Sequence, residues 1–467
     1  DSSNAAAAAA NKTWPSAGCC TILARSTGSL RPSGSGVTMQ RTLSPFIALF
    51  ASFGLLLAGG GLLTTLVGVR MSEEAFATQI IGVIAACYSV GFVAATRVCA
   101  GIIARVGHIR SFAAFAALAA ISTLVYPLLI EPWLWAAMRL VYGFSLGGLY
   151  MVTDSWLNDR TPSERRGTVL GAYSVVSYVG LGAGQFLLLT GRAGSFELFS
   201  LAAMLIAAAV VPVTITRITS PELPVMERVG LRTLFDASPL GVVGAALAGV
   251  INGAFLGLAP VYARGVGFSD TGIALLMGLG ILGGFLLQWP IGHLSDRFNR
   301  RDVMMGVSFA MMACSLAIVF ASGRSNPAII ALAVLWGGLA FTLYPIALSL
   351  ANDFLAPQQM LGASASLLLL HGTGMIAGPL VATQLMALLG APGLFWTLAA
   401  AGLLLGVFAL LRQRLGPPIP VGEPATYRVV PREGVYAGGL DPRYEEIQLE
   451  FDFEAGPAEP PRPEAEP

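Results

Sequence analysis

Apolar residues in this chain come in blocks of about 20, divided by short polar or charged stretches, and a block of that length lets an α-helix cross a hydrocarbon layer of roughly 30 Å. Twelve such runs are predicted, near 45–68, 77–96, 111–130, 133–157, 168–190, 195–216, 239–262, 271–290, 303–322, 326–350, 363–387 and 392–411. Within lipid the backbone must satisfy its own polar groups, so each run is expected to be helical. An even number of crossings puts both ends of the chain on one side.

Composition agrees with the pattern. Of 467 residues 55% are hydrophobic and only 11% charged, with a mean hydropathy of +0.72, far from the norm of soluble domains. The net charge of +1 speaks for no nucleic-acid partner. Arginine sets the orientation, because cytoplasmic loops retain positive charge. With the ends inside, fourteen arginines fall in or beside the inner loops and four in the outer ones (Arg70, Arg192, Arg264 and Arg324). The expected topology is therefore multi-pass, with cytoplasmic termini.

The ends read differently. Residues 1–43 are an Ala/Ser/Gly-rich leader, with Met39 the expected natural start, and 413–467 form a Pro- and Glu-rich tail expected to be disordered. Between them lie a six-helix bundle (44–216), a polar linker (217–238) and a second six-helix bundle (239–412). Cys87, Cys99 and Cys314 lie in or beside helices, where packing is their default role.

The bundles are copies of one another. Residues 149–159 read LYMVTDSWLND and residues 343–353 read LYPIALSLAND, closing runs four and ten at an offset of 194. Past these segments Pro162 and Gly167 answer to Pro357 and Gly362 at an offset of 195. Parallel halves of this kind are the plan of transporters that rock around a site at the bilayer midplane.

Between runs eight and nine stands GHLSDRFNRR, 292–301. It resembles the loop motif G-x-x-x-D-R-x-G-R-R of the major facilitator superfamily, matched by Gly292, Asp296, Arg297, Arg300 and Arg301. Asn299 replaces the second glycine and is expected to take the same left-handed turn. The first-half copy keeps Arg105, Gly107 and Arg110 but has Ala104 in place of the carboxylate. Asp296 is expected to face the positive end of run five across the bundle interface, as a gate. The stretch MRLVYGFSLGG resembles the superfamily's R-x-x-Q-G motif, with Tyr142 between Arg139 and Gly143. Residues 45–411 as a whole are similar to a bacterial subfamily of uncharacterised facilitators. The resemblance implies an all-α membrane protein of twelve helices in two parallel-repeat bundles, placed in a bacterial cytoplasmic (inner) membrane and working as a monomer on a small-molecule solute, and it implies no cofactor.

An arginine inside an apolar run is costly and normally faces a partner or water. Arg139, Tyr142, Tyr150 and Asp154 fall within about one third of the circumference of run four. Arg139 and Asp154 are about 22 Å apart along the axis and need separate partners. Asp154, close to the inner boundary, is expected to snorkel or to pair with Arg105 or Arg297. By internal symmetry Trp336 and Tyr344 are expected to face the same cavity, joined by Asn252 of run seven. A lone arginine among aromatics suits an organic anion or carboxylate-bearing solute; helix packing explains the aromatics equally. Gln185 and Gln288 read as helix-to-helix hydrogen bonds or cavity groups. Asp154 and His371 are the candidates for proton coupling.

Two rival functions stand beside this one. A multidrug/proton antiporter would carry G-x-x-x-G-P in run five, where Gly180, Gly184 and Gln185 put glutamine at the proline position. A non-transporting sensor would use the tail as its output. An enzyme is excluded because His108, His293 and His371 lie on separate elements and offer no catalytic or metal cluster.

Overall fold

A computed structural model describes residues 46–161, 165–215, 229–355 and 357–415. The leader, the tail and most of the linker lie outside the described residues, as does Pro162. The described residues are helical. In chain order the spans are α1 (Ile47–Glu73), α2 (Thr78–Val106), α3 (His108–Val125), α4 (Pro132–Arg160), α5 (Arg166–Phe186, extended by a 3-10 turn at Leu187–Thr190) and α6 (Phe196–Ala208 with Val210–Ile215). A short linker helix, Leu231–Ala237, precedes α7 (Pro239–Gly265), α8 (Asp270–Arg297), α9 (Arg300–Ala321), α10 (Asn326–Ala340 with Leu343–Asn352), α11 (Pro357–Leu389) and α12 (Gly393–Leu415). Eleven of these are long and apolar enough to cross a membrane. The twelfth, α4, has equal length but carries Arg139, Asp154, Asp159 and Arg160.

Both interrupted helices have the same cause. Pro212 and Pro345 lack the N–H that would bond the carbonyl four residues earlier, at Ala208 and Phe341, and the breaks fall at Ala209 and at Phe341–Thr342. Pro260, Pro290 and Pro379 stay inside continuous helices.

The repeat is visible in backbone contacts that only glycine permits. A Cβ on Gly91 would lie 2.0 Å from the Leu140 carbonyl oxygen, and one on Gly143 2.0 Å from that of Tyr88, so α2 and α4 cross backbone to backbone. In the second half Gly283 meets Val334 at 2.1 Å and Gly337 meets Gly280 at 2.0 Å, so α8 and α10 cross in the same way. The α1–α5 pair (Gly61 on Leu181, Gly184 on Ala58) is repeated by α7–α11 (Gly253 on Met375, Gly378 on Val250). Residues of α1 and α2 map onto α7 and α8 at a constant offset of 192, and those of α4 and α5 onto α10 and α11 at 194. The offset of 195 read at Gly167 and Gly362 has therefore closed by Gly184 and Gly378.

The halves meet where α2 packs on α11, α5 on α8 and α1 on α7. On the face opposite the linker, Arg264 at the end of α7 bonds Glu73 of α1 at 3.1 Å and Asp270 of α8. Close by, Gly68 abuts Pro260. The Arg264–Glu73 pair is about one third exposed, which limits it to roughly 0.2–1 kcal/mol. Glu73→Gln is accordingly expected to raise the modification rate of an Ala85→Cys probe by a hydrophilic thiol reagent, by at most about fivefold. An unchanged rate would mean that the pair does not hold this face closed.

Candidate functional site

At mid-depth between the halves lies a cavity with about 650 Å³ of empty space, counted out to its mouth. Its walls are unequal. The first half supplies Leu57, Gly60 and Thr64 from α1, Ala85, Tyr88 and Ser89 from α2, Arg139, Tyr142, Leu146 and Tyr150 from α4, and Leu181 and Gln185 from α5. The second half supplies Gly253, Leu256 and Gly257 from α7 and Met375 from α11.

Helical spacing explains the α4 contribution, since Arg139, Tyr142, Leu146 and Tyr150 step along one face in threes and fours. Arg139 is 3% exposed, with its guanidinium 5.5 Å from the Tyr88 ring centre. Its Nε and Nη1 have no hydrogen-bond partner among the described residues. Tyr88 and Tyr142 stand side by side at 6.1 Å, and Tyr150 is packed edge-on against Phe53 at 5.1 Å. Gln185 accepts from the Thr65 hydroxyl and donates to the Leu181 carbonyl at 3.2 Å, which ties α5 to α1 at the cavity edge.

The sequence-derived residues separate into groups. Arg139, Tyr142, Tyr150 and Gln185 line this cavity. Trp336 sits instead in the core of the second bundle, fully buried, packed at a tilt on Phe255 at 4.4 Å and donating its indole N–H to Ser315 Oγ at 2.8 Å. Asn252 and Tyr344 surround His371: Asn252 Nδ2 lies 3.2 Å from His371 Nε2, and the Tyr344 ring lies 4.6 Å from the imidazole. Gln288 is buried on α8, with neither amide atom bonded among the described residues.

Asp154 does not snorkel. It is fully buried and accepts from the Tyr173 hydroxyl of α5 at 2.7 Å, a donor that takes the place of solvent. Tyr88, the stacking partner of Arg139, carries no sequence signal of its own. The internal comparison would have found it, since its repeat position is Gly280. By the same offsets Arg139 answers to Ala333, Gln185 to Pro379 and Gly60 to Asn252. The polar wall belongs to one half alone.

The loop motif is an anchor between helices. Arg300 is 3% exposed and donates to the Asp353 carboxylate, to the Ser349 carbonyl at 3.3 Å and to Asp296 at 3.3 Å. Arg301 lies over the Phe354 ring, Gly292 is buried in α8, and Arg297 and Arg105 are exposed at the last turns of α8 and α2. Asn299 does not take a left-handed turn. Its φ is −58°, and its side chain caps α9 by accepting from the Arg301 N–H at 2.9 Å. In the first half Gly107 has φ +91°, a conformation that does need glycine.

Comparison with known proteins follows the same division into halves. Residues 63–224 match the family model described as Sugar (and other) transporter, and residues 241–434 that of the Major Facilitator Superfamily. The uncharacterised MFS-type transporter YcaD of Escherichia coli is 28% identical over 387 residues, which are 82% of this chain and all of that protein. The structure of nucleoside transporter NupG superposes with a TM-score of 0.64 at 16% identity, over 80% of this chain and 99% of NupG. A D-xylose-proton symporter does so with 0.62 at 16% identity, over 78% and 96% of the two chains. Matches to both halves, a relative matched along its whole length and the shared twelve-helix fold agree: the chain belongs to the major facilitator superfamily, and it is a transporter and not an enzyme.

Proposed function

We propose that this protein carries a small, partly apolar organic anion across a bacterial inner membrane by alternating access, with protons as the coupling ion and the linker and termini on the cytoplasmic side. One observation carries the reading: a buried guanidinium at the wall of the central cavity, with two nitrogens free of hydrogen bonds among the described residues. Guanidinium is always charged and recognises carboxylates with a planar fork of donors. A charge left so at mid-membrane is costly, and an anionic solute would offset that cost. Leu57, Leu146, Leu181, Leu256 and Met375 with the three tyrosines would take the apolar body of the solute. One chain contains the whole cavity, which supports a monomeric carrier.

The test is ligand-induced stabilisation of the purified protein by benzoate, phenylacetate, succinate, uridine and tetraphenylphosphonium. The aryl carboxylates are expected to raise the unfolding temperature. Arg139→Ala is expected to weaken their binding by roughly 10- to 100-fold, the value of charge-assisted hydrogen bonds of about 1.5–3 kcal/mol. Stabilisation by tetraphenylphosphonium that survives Arg139→Ala would put multidrug efflux first and make the arginine structural.

A further inference from the structure

The Asn252–His371 pair has no counterpart in the other half. The repeat offsets place Gly60 and Ser177 at the equivalent positions, so the fold does not require an amide and an imidazole there. Both side chains are buried, at 0% and 1% exposure. Asn252 precedes Gly253, and His371 lies one helical turn from Met375; Gly253 and Met375 belong to the cavity wall. The pair sits in a seam of the second bundle where two helices cross at backbone contact. A Cβ on Gly249 would lie 2.0 Å from the His371 carbonyl oxygen, and one on Gly374 2.1 Å from that of Ala246. Its two helices are those that meet the first half, α7 at Gly68 and Ala85 and α11 at Gly82 and Val93.

We propose that His371, held by Asn252, is the site that takes up and releases the coupling proton; this rests on the reading of the chain as a proton-driven anion carrier. In the structure the amide Nδ2 faces imidazole Nε2, which suits a neutral ring whose Nε2 accepts. The other end of that amide, Oδ1, is buried with no hydrogen-bond partner among the described residues. When the Nε2 lone pair binds a proton from water, Nε2 becomes a donor, and a half-turn of the Asn252 amide presents Oδ1 to accept from it. Release to water on the other side reverses both changes. One side chain thus serves both charge states.

Among the titratable groups on the packed helices, α10 brings Tyr344 against the ring, and α2 carries Cys87, Tyr88, Arg97, Cys99 and Arg105. Tyr262 and Arg264 lie at the far end of α7, and Arg412 and Arg414 in the last turn of α12. None of these helices, nor α11 itself, contains Asp or Glu. An anion in the adjoining cavity would add counter-charge for an imidazolium. Proton and anion would each favour the other's binding, which is the thermodynamic requirement for symport.

With only three histidines, full-length protein labelled with ¹⁵N-histidine can be titrated by NMR, with His371→Gln assigning the resonance. The His371 ring is expected to pass between its neutral and charged states within the titration. Asn252→Leu is expected to abolish that transition. A His371 resonance fixed in one state throughout the range, or unaffected by Asn252→Leu, overturns the proposal. Modification of Ala85→Cys, taken relative to an exposed cysteine so that thiol ionisation cancels, should depend on pH over the same interval and lose that dependence in His371→Gln; relative dependence that persists also overturns it. Millimolar benzoate is expected to move the transition to higher pH, an effect lost in Arg139→Ala. A transition that benzoate leaves in place supports the proton site and overturns the anionic reading of the cavity.

Discussion

Gly143→Ala is expected to destabilise the protein by about 3 kcal/mol, enough to leave mostly aggregate in size-exclusion chromatography, while Gly171→Ala raises the unfolding temperature slightly. Both changes add one methyl group to a helix of the first half. At Gly143 the added carbon would lie 2.0 Å from the Tyr88 carbonyl oxygen and 2.8 Å from its carbon. These are backbone atoms of the crossing helix, and they can yield only if α2 and α4 separate. Separation would also undo the reciprocal contact of Gly91 with Leu140 and move Tyr88 away from Arg139. Around Gly171 nothing lies within 4 Å, so only the helix preference for alanine, worth up to about 1 kcal/mol, remains. The repeat extends the argument: Gly337→Ala, facing Gly280 at 2.0 Å, should fail as Gly143→Ala does. Thermal unfolding of the four proteins decides it. Equal unfolding temperatures for Gly143→Ala and the parent would mean that the helices do not cross at backbone contact.

How far such features can be read from sequence depends on whether they are local or shared between helices. Run length and arginine asymmetry are one-dimensional, and they carry the twelve spans and their expected orientation. Arg139 stands out because a charge in an apolar run is anomalous by itself. Tyr88 does not, since an aromatic residue in such a run fits a lipid face, a helix seam and a cavity wall equally well. Symmetry with Tyr142 and Tyr150 predicts Trp336 and Tyr344 at the cavity, but symmetry fixes backbone positions and leaves side chains free to diverge. Phe255, Phe341 and Phe395 enclose Trp336, and His371 takes the face of Tyr344. Asn299 shows a local limit as well. The motif's glycine marks a left-handed turn only in the half that keeps it, and the asparagine caps the next helix from an extended conformation.

The second large effect is expected at Arg300, where substitution by alanine should cost about 3–5 kcal/mol, against about 1 kcal/mol for His108→Ala. The residues occupy the same place in the two halves, as do Ser349 and Ser155, Asp353 and Asp159, and Asp296 and Ala104. In the second half one buried guanidinium at the start of α9 joins a carboxylate at the end of α10 to another at the end of α8. Asp353 is 9% exposed, so removal of the arginine strands its charge where water cannot screen it. Asp296, at 26%, stays better solvated and adds less. Arg300→Lys should recover only part of the loss, because a point charge cannot fork between Asp353 and Asp296. The first half makes the equivalent joint with one neutral bond, His108 Nε2 to Ser155 Oγ at 3.1 Å; Ala104 replaces one carboxylate, and the other, Asp159, is exposed, where water screens its charge. Comparing the unfolding temperatures of the three variants tests the contrast directly. Equal losses for Arg300→Ala and His108→Ala would show that the charged anchor contributes no more than its neutral copy, and that the carboxylates of the motif serve something other than the stability of the joint.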